Sequence, residues 1–447
     1  MAKAFISFLG TSDYLNCRYS LNDTPGEIVK YVQEDLVRRC CMDWNSHDEI
    51  RIFTTAEAVG KNWQDNGHAD WKTKKEKIST GLENRFKALG IDAAIKRIDI
   101  PKGDNEEQIW EIFNKVFSTL REDEEIVIDI THGFRSLPVL LMTLIGYSRL
   151  LKNISVSGIY YGAFEVLGDF TAANKIPEDE RIAPIFDLTS FEKIIEWTQA
   201  TQGFVKNGTA KDLKHLASKR INPVLKESRG ADSAAKAMDT IVNGIEMICQ
   251  NILVNRGTEI LHYDYEKIKD QLQKLRQEDV FIAPLAPLFV VIEEKIDGFA
   301  KDDINNGFRA VDWCVSHGMI QQAITMLQEN MATFLLTQVG EDWGVEKNRD
   351  AVSLTMNLVS QKKSNLDVDS DVDDAQRQLI KKLMVNPILL KLYKSYEQLR
   401  SIRNDVNHGG FRTEENKKAS SSQSIQDKFG QSYTEIRRAL CNPFVPS

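Results

Sequence analysis

The feature that most constrains the fold is a change of pattern near residue 185. Before it, short apolar segments that suit β-strands alternate with longer segments that suit helices. After it, strand-like segments almost vanish, and helical periodicity continues to the end of the chain. This order predicts an α/β domain, an open parallel sheet with helices on both faces, followed by an all-α region.

The pattern divides the 447 residues into three parts. We expect a Rossmann-like domain over residues 1–185, a helical linker or insertion over 186–300, and a second helical domain over 301–447. The boundary between sheet and helices is placed around Ala183-Pro184. Within the first part, helices are predicted from Pro25 to Cys41 and from Lys74 to Leu89.

Composition and charge narrow the class of protein. The net charge of −8 argues against a broad basic surface for duplex DNA, although a local groove for short RNA remains open. The six cysteines form no C-x-x-C pair, so we expect neither a disulfide framework nor a metal site. No signal peptide is seen, and the longest apolar run is too short to span a bilayer, which takes about 20 residues. A cytoplasmic protein without membrane contact is expected.

Two small polar loops follow predicted strands of the first part. Gly10-Thr11-Ser12 follows the first strand, and Thr131-His132-Gly133-Phe134-Arg135 follows the strand that ends at Ile130. Ligands of such sheets bind beyond the carboxyl ends of the strands, where free N–H groups at helix starts attract phosphate. The sequence therefore predicts a nucleotide-like ligand held by both loops. The alternative is that the glycines only make tight turns. Neither G-x-G-x-x-G nor G-K-[ST] occurs, which argues against a dehydrogenase or a P-loop enzyme.

A second candidate site lies near the carboxyl end of the chain. Apolar residues at helical spacing run from Leu389 to Val406, and Arg403, Asn404 and His408 fall at the end of that helix. Histidine can move protons near neutral pH, and arginine can stabilise charge on phosphate. These residue types suit metal-independent cleavage of RNA. The alternative is a surface arginine and a histidine that favours the helix dipole.

One arginine and one histidine are few groups for a catalytic site. Two copies that meet across a two-fold axis would give a fuller site, so a homodimer is expected.

On these residues the chain resembles the CRISPR-associated ancillary ribonucleases of type III systems, which join a CARF sensor domain to a HEPN ribonuclease domain. Asp129-Ile130-Thr131-His132-Gly133 is similar to the D-x-T-H-G phrase of the branch with one domain of each kind, and Arg403 to His408 is similar to the HEPN phrase R-x4-6-H. Trp313 and the helix Met319–Leu336 are similar to the element that packs beside the catalytic helix. Residues 205–300 match only as helical, and no role is assigned to them.

The resemblance implies a cyclic oligoadenylate-activated endoribonuclease of type III CRISPR antiviral defence. The CARF domain would bind the activator at a dimer interface, with the tetra-adenylate as the expected ring, and no cofactor is implied. The HEPN domain would cut single-stranded RNA by attack of the ribose 2′-OH, leaving a 2′,3′-cyclic phosphate and a 5′-hydroxyl. The implied ligand residues are Gly10, Thr11, Ser12, Thr131, His132, Gly133, Phe134 and Arg135, and the implied catalytic residues are Arg403, Asn404 and His408.

Other functions stay open at this point. The chain could be a non-catalytic CARF sensor or a transcription regulator, and the CARF domain could itself degrade its ligand. The ring size of the activator, the RNA sequence preference and any assembly beyond a dimer are also open.

Overall fold

The computed structural model describes residues 1–70, 73–133, 136–277, 286–363, 372–411 and 419–441. The chain forms two compact units, Met1–Ile195 and Glu196–Ser447. The first is built on a sheet and the second is helical, so the predicted order of an α/β domain followed by an all-α region is confirmed. The further division of the helical part at residue 300 stays a prediction.

The first unit contains one eight-stranded sheet in the order β3-β2-β8-β7-β6-β1-β4-β5. Strands β7, β6, β1, β4 and β5 run parallel, while β3 is antiparallel to β2 and β8 is antiparallel to β7. The predicted open parallel sheet is therefore present in these five strands, and the two antiparallel pairs toward β3 were not predicted. The strands are β1 Lys3–Leu9, β2 Cys17–Leu21, β3 Thr24–Val29, β4 Glu49–Thr54, β5 Ala94–Asp99, β6 Glu125–Asp129, β7 Ser155–Gly162 and β8 Ile182–Asp187.

Helices cover both faces of this sheet, as predicted. One apolar core includes residues of α1 and α3, and the other includes residues of α4 and α5. The central strands β1 and β4 are buried almost throughout, because a sheet covered on both sides hides every side chain. The helices of this unit are α1 Val32–Cys40, α2 Ala56–Ala58, α3 Leu82–Ala88, α4 Glu106–Thr119, α5 Leu137–Lys152 and α6 Phe170–Ala173.

Two of the predicted helices are shorter than expected. The helix predicted from Pro25 begins only at Val32, because residues 24–29 form β3 of a hairpin whose turn, Asn22-Asp23, has positive φ at both positions. The helix predicted from Lys74 begins only at Leu82. Strand β8 also covers the predicted boundary at Ala183-Pro184, so the sheet continues past that point.

In its described residues, the second unit is built of helices. Helix α7 Thr189–Asn207 spans the division between the units. The others are α8 Lys211–Glu227, α9 Ser233–Leu253, α10 Gly257–His262, α11 Tyr265–Gln277, α12 Ala286–Ile296, α13 Asn306–Ser316, α14 Ile320–Gln338, α15 Glu346–Ser360, α16 Asp374–Met384, α17 Pro387–Asn407 and α18 Ser422–Cys441.

Helix α17 carries the second candidate site. Asn386 caps its first turn by accepting from the backbone N–H groups of Ile388 and Leu389, at 2.9 and 3.0 Å. The predicted apolar face is buried from Leu389 to Ile402, and α17 packs against α14, α15 and α18. Packing on that face fixes the end of the helix, where the candidate catalytic residues lie.

Candidate functional site

The two predicted loops of the first unit lie around one pocket. Because β1 and β6 are neighbours and parallel, the segments that follow them emerge side by side at the carboxyl edge of the sheet. The pocket has a volume of about 320 Å³. Its lining contains six of the eight predicted ligand residues: Gly10, Thr11, Ser12, Thr131, His132 and Gly133. The other two, Phe134 and Arg135, lie outside the described residues.

A buried carboxyl group holds the second loop in place. Asp129 is fully buried and accepts hydrogen bonds from Ser7 Oγ at 2.7 Å and from the backbone N–H of Thr131 at 2.9 Å. The hydroxyl of Thr131 in turn accepts from the N–H of Gly162 at 2.8 Å. Burial raises the pKa of Asp129, and the bonds from Thr131 and Ser7 oppose that rise. Asp129 therefore stabilises the loop through its hydrogen bonds and is not among the residues that line the pocket.

Asn62 fixes the first loop, and nothing local in the sequence predicts this role. Its side-chain N–H₂ donates to the carbonyl oxygens of Gly10 and Ser12, both at 2.9 Å. Its Oδ1 accepts from His68 Nε2 at 3.0 Å. The residue lies in a π-helical turn, Val59–Trp63, an irregularity that is frequent at functional sites. One buried amide thus holds both ends of the loop that contains Thr11.

His132 provides a neutral ring in this pocket. Its ring lies 4.5 Å from that of Tyr14, measured between centroids, and its Nε2 is buried without a hydrogen-bond partner among the described residues. Burial lowers the pKa of His132 to about 4, so the imidazole is uncharged at neutral pH. It can exchange a hydrogen bond with a ligand, but it adds no positive charge for a phosphate.

We expect Asn62→Leu to destabilise the protein by about 1–3 kcal/mol, because the carbonyl oxygens of Gly10 and Ser12 lose their side-chain donor and each such hydrogen bond contributes about 0.5–1.5 kcal/mol. The midpoint of urea unfolding measures this change, and hydrogen exchange of residues 9–14 should become faster. Asn84→Leu is the matched control, since Asn84 is exposed and, among the described residues, its side chain bonds only Asp65 Oδ2, at 2.9 Å. Equal midpoints for the two variants would contradict the role given to Asn62.

In the second unit, Arg403 lies in a separate pocket of about 260 Å³. Its side chain is 27% exposed, and its Nη1 lies 3.5 Å from Oε1 of Glu329 on α14. Glu329 Oε2 also accepts from Arg349 Nη2 at 2.6 Å. Arg403 Nε is buried without a partner in the described part of the chain. The carboxylate thus holds two guanidinium groups at one pocket, which we call the Arg403 pocket, and sequence reasoning missed both Glu329 and Arg349.

Asn404 and His408 are placed differently. Both are exposed, and neither lines the Arg403 pocket. His408 is the C-cap that follows the last residue of α17, and its N–H donates to the carbonyl of Asn404 at 3.2 Å. Gly409 and Gly410 follow with φ of 62° and 72°, which ends the helix. One chain therefore presents an arginine within a pocket and a histidine on the surface at the end of the same helix.

Two further properties concern ions and membranes. Among the described residues, no group of three or more His, Cys, Asp and Glu side chains could hold a metal ion. No helix in the described ranges has both the length and the apolar character needed to cross a bilayer.

Comparison with known proteins adds to this geometry. Residues 4–165 match the family described as "CRISPR system endoribonuclease Csx1, CARF domain". The chain is 28% identical over 204 residues to the CRISPR-associated protein MJ1674 of Methanocaldococcus jannaschii, a stretch that covers 44% of this chain and 30% of that protein. The chain thus spans less than a third of the length of this curated relative.

A solved structure is also similar to the chain. It is Enterococcus italicus Csm6 bound to cyclic hexa-2′-fluoro-hexa-dAMP, with a TM-score of 0.40, 12% sequence identity, and coverage of 98% of this chain and 94% of that one. The family match falls within the sheet unit and includes both loops of its pocket. Residues 4–165 of the first unit are therefore similar to the CARF domain of the Csx1 endoribonucleases of CRISPR systems.

Proposed function

We propose that the protein is a ribonuclease of type III CRISPR defence that a cyclic oligoadenylate activates. The observation that carries the proposal is the placement of the two polar loops around one pocket, inside a domain that matches the Csx1 CARF model. The loops offer hydroxyl groups of Thr11 and Ser12 and the neutral ring of His132. Such groups suit the ribose and base edges of a nucleotide better than they suit a hydrophobic ligand.

The catalytic half of the proposal rests on α17. Arg403 supplies a fixed guanidinium that would stabilise the charge developing on the phosphate oxygens. His408 would transfer protons, from the attacking 2′-OH or to the departing 5′-oxygen. The bond that forms joins the 2′-oxygen to phosphorus, and the bond that breaks is the one between phosphorus and the 5′-oxygen. The products are a 2′,3′-cyclic phosphate and a 5′-hydroxyl, and Asn404 would orient the phosphate or the imidazole.

A homodimer completes this proposal. His408 is exposed and lies outside the Arg403 pocket, so a second copy related by a two-fold axis would bring another arginine and histidine to a shared groove. A cyclic activator with its own two-fold symmetry would bind both CARF domains with the same loops. Activation then requires that the activator bind the active arrangement of the dimer more tightly than the inactive one.

The test is RNA cleavage by the full chain against a panel of activators. We expect cleavage of single-stranded RNA to rise strongly with one of cyclic tri-, tetra- and hexa-adenylate, with the tetra-adenylate as the expected ring. A different result would favour a transcription regulator: the protein binds a ring but cleaves no RNA, and in a gel-shift assay the ring changes its affinity for duplex DNA. Binding of no ring would remove the activator assignment.

We expect cleavage to continue in excess EDTA at a rate within about twofold of the untreated enzyme, because imidazole and guanidinium groups need no metal for proton transfer and charge stabilisation. The measurement compares initial rates with saturating activator, before and after dialysis against the chelator. Loss of activity that Mg²⁺ or Mn²⁺ restores would contradict the proposed roles of Arg403 and His408.

A further inference from the structure

We propose that a second pocket of the helical unit binds a nucleobase of the RNA and so determines which sequence is cut; this inference rests on the proposed ribonuclease function. The pocket, here called the Asn330 pocket, has a volume of about 260 Å³. Pockets for drug-sized ligands measure about 300–1,000 Å³, so this one suits a smaller, planar group such as a single base. The lining residues that matter are Asn255, Leu261, Met326, Asn330, Trp343 and Arg349.

Two amide side chains of this pocket have unused hydrogen-bonding atoms. Asn330 is 6% exposed, and its Nδ2 is buried without a hydrogen-bond partner among the described residues. Asn255 Oδ1 is likewise buried and without a partner in that part of the chain. Buried polar atoms left unpaired cost about 1–3 kcal/mol each, so a site that keeps two of them calls for an explanation. A base edge presents donors and acceptors side by side and would satisfy both.

The amide of Asn330 has little free space on the side of α13. It packs on the backbone of α13 at Gly307, where an added Cβ would lie 2.2 Å from Asn330 Oδ1. A side chain at position 307 would therefore displace the amide. The absence of a Cβ here lets α13 and α14 approach closely enough to bury Asn330 in the pocket wall.

The remaining lining suits the faces of a base. Trp343 provides an aromatic ring, and Leu261 and Met326 provide an apolar surface. The Trp343 ring stacks on that of His262, with 6.1 Å between centroids and 21° between planes, and its carbonyl accepts from Arg349 Nη1 at 3.1 Å. Bases of single-stranded RNA bind proteins by stacking on aromatic rings and by hydrogen bonds from their edges. The pocket offers both kinds of contact.

The position of the pocket connects it with Arg403. Glu329 and Arg349 line both the Asn330 pocket and the Arg403 pocket, so the two cavities share a wall. Arg349 bonds Glu329, which in turn pairs with Arg403. A nucleotide whose base enters the Asn330 pocket would place an adjoining phosphate near Arg403. The base bound in this pocket would then determine where the RNA is cut.

The experiment compares the parent with Asn330→Leu and Asn330→Asp in the full, activated chain. Cleavage sites are mapped on a single-stranded RNA of randomised sequence, and kcat/KM is measured for four substrates that differ at one base. We expect the parent to prefer one base, and Asn330→Leu to lower kcat/KM for that base about 10- to 100-fold, since a site that bonds a polar edge rejects the mismatch strongly. Asn330→Asp replaces a donor by an acceptor and should change the preferred base.

A matched control and a folding check accompany these variants. Asn243→Leu removes a half-buried amide of α9 that, within the described part of the chain, bonds only Asp239 Oδ1, at 2.8 Å, and it should leave base preference unchanged. Binding of cyclic tetra-adenylate and the thermal unfolding midpoint report whether each variant folds. If either folded Asn330 variant keeps the parent's base preference and kcat/KM, the proposal is overturned.

A binding arm separates this proposal from the ribonuclease function. His408→Ala, with and without Asn330→Leu, is titrated with short single-stranded RNAs of one base each and with the four nucleoside 5′-monophosphates. If the protein binds one RNA selectively and Asn330→Leu abolishes that selectivity, the result supports the base-binding pocket. It does so even if the parent cleaves no RNA, because the lack of cleavage would refute only the ribonuclease function. Tight binding of a free monophosphate, with RNA preference unaffected by the substitution, would assign the pocket to a free nucleotide and overturn the inference.

Discussion

Replacing His408 by alanine should lower RNA cleavage by about 10²- to 10⁴-fold, the usual contribution of a general acid or base, while leaving activator binding unchanged. The side chain is exposed at the end of α17, so its removal should cost little packing energy. Single-turnover cleavage of a labelled RNA at saturating cyclic tetra-adenylate gives the rate, and calorimetric titration gives the affinity for the ring. The loss should appear in the rate and not in RNA binding, because the imidazole acts on protons in the transition state.

His215→Ala is the matched control for this prediction. His215 is exposed on α8, also in the helical unit, and lines neither the Arg403 pocket nor the Asn330 pocket. Its removal should leave the rate within about twofold of the parent, as for most surface substitutions. Cleavage by His408→Ala at the parent rate would end the active-site assignment. Loss of activator binding together with cleavage would point to a structural role instead.

Much of the sheet unit was predictable because its strands are covered on both faces. Short runs of apolar residues predicted the buried strands. The buried residues are Phe5, Ile6 and Phe8 of β1 and Ile126 and Ile128 of β6. Neighbouring parallel strands then place their following loops together, so the pocket of the two loops followed from topology. In α17 the helical spacing of apolar residues likewise predicted the buried face.

The errors have specific physical causes. Pro25 suits the first turn of a helix, but here it lies in β3, a strand at the edge of the sheet where the missing N–H costs little. The hairpin depends on two residues with positive φ, Asn22 and Asp23. These residue types favour such a turn, and the prediction of a helix from Pro25 did not take them into account. Strand β8 gains its stability from β2 and β7, which are distant in sequence, so no local pattern marks it.

The supporting residues of both candidate sites were missed for the same reason. Asn62 reaches the loop of residues 10–12 from about 50 positions away, and Glu329 reaches Arg403 from more than 70. Asparagine and glutamate are common on surfaces, so their types alone predict no role. Only the packing of α14 on α17, and of the π-helical turn on the first loop, brings these side chains to their partners.

Replacing Gly10 by alanine should weaken binding of the cyclic oligoadenylate about 10- to 100-fold, because overpacking a filled site costs about 1–3 kcal/mol and each 1.4 kcal/mol is tenfold in affinity. An added Cβ at Gly10 would lie 2.2 Å from the Tyr14 hydroxyl oxygen. The Tyr14 ring cannot move freely, since it packs on His132 at 4.5 Å and on Tyr31 at 5.7 Å between centroids. Relief of the clash must therefore shift His132 or the loop, and both line the pocket.

Two further variants make this prediction specific. Gly60→Ala is the control, since an added Cβ there meets none of the described residues within 4 Å, and the affinity of this variant for cyclic tetra-adenylate should equal that of the parent. Tyr14→Phe removes the oxygen that the new methyl group meets, so Gly10→Ala should cost much less affinity in a Tyr14→Phe background than in the parent. Such non-additivity is expected only if the two side chains compete for one space. Equal losses in both backgrounds would show that Tyr14 does not transmit the effect, and unchanged affinity in Gly10→Ala would place the activator outside this pocket.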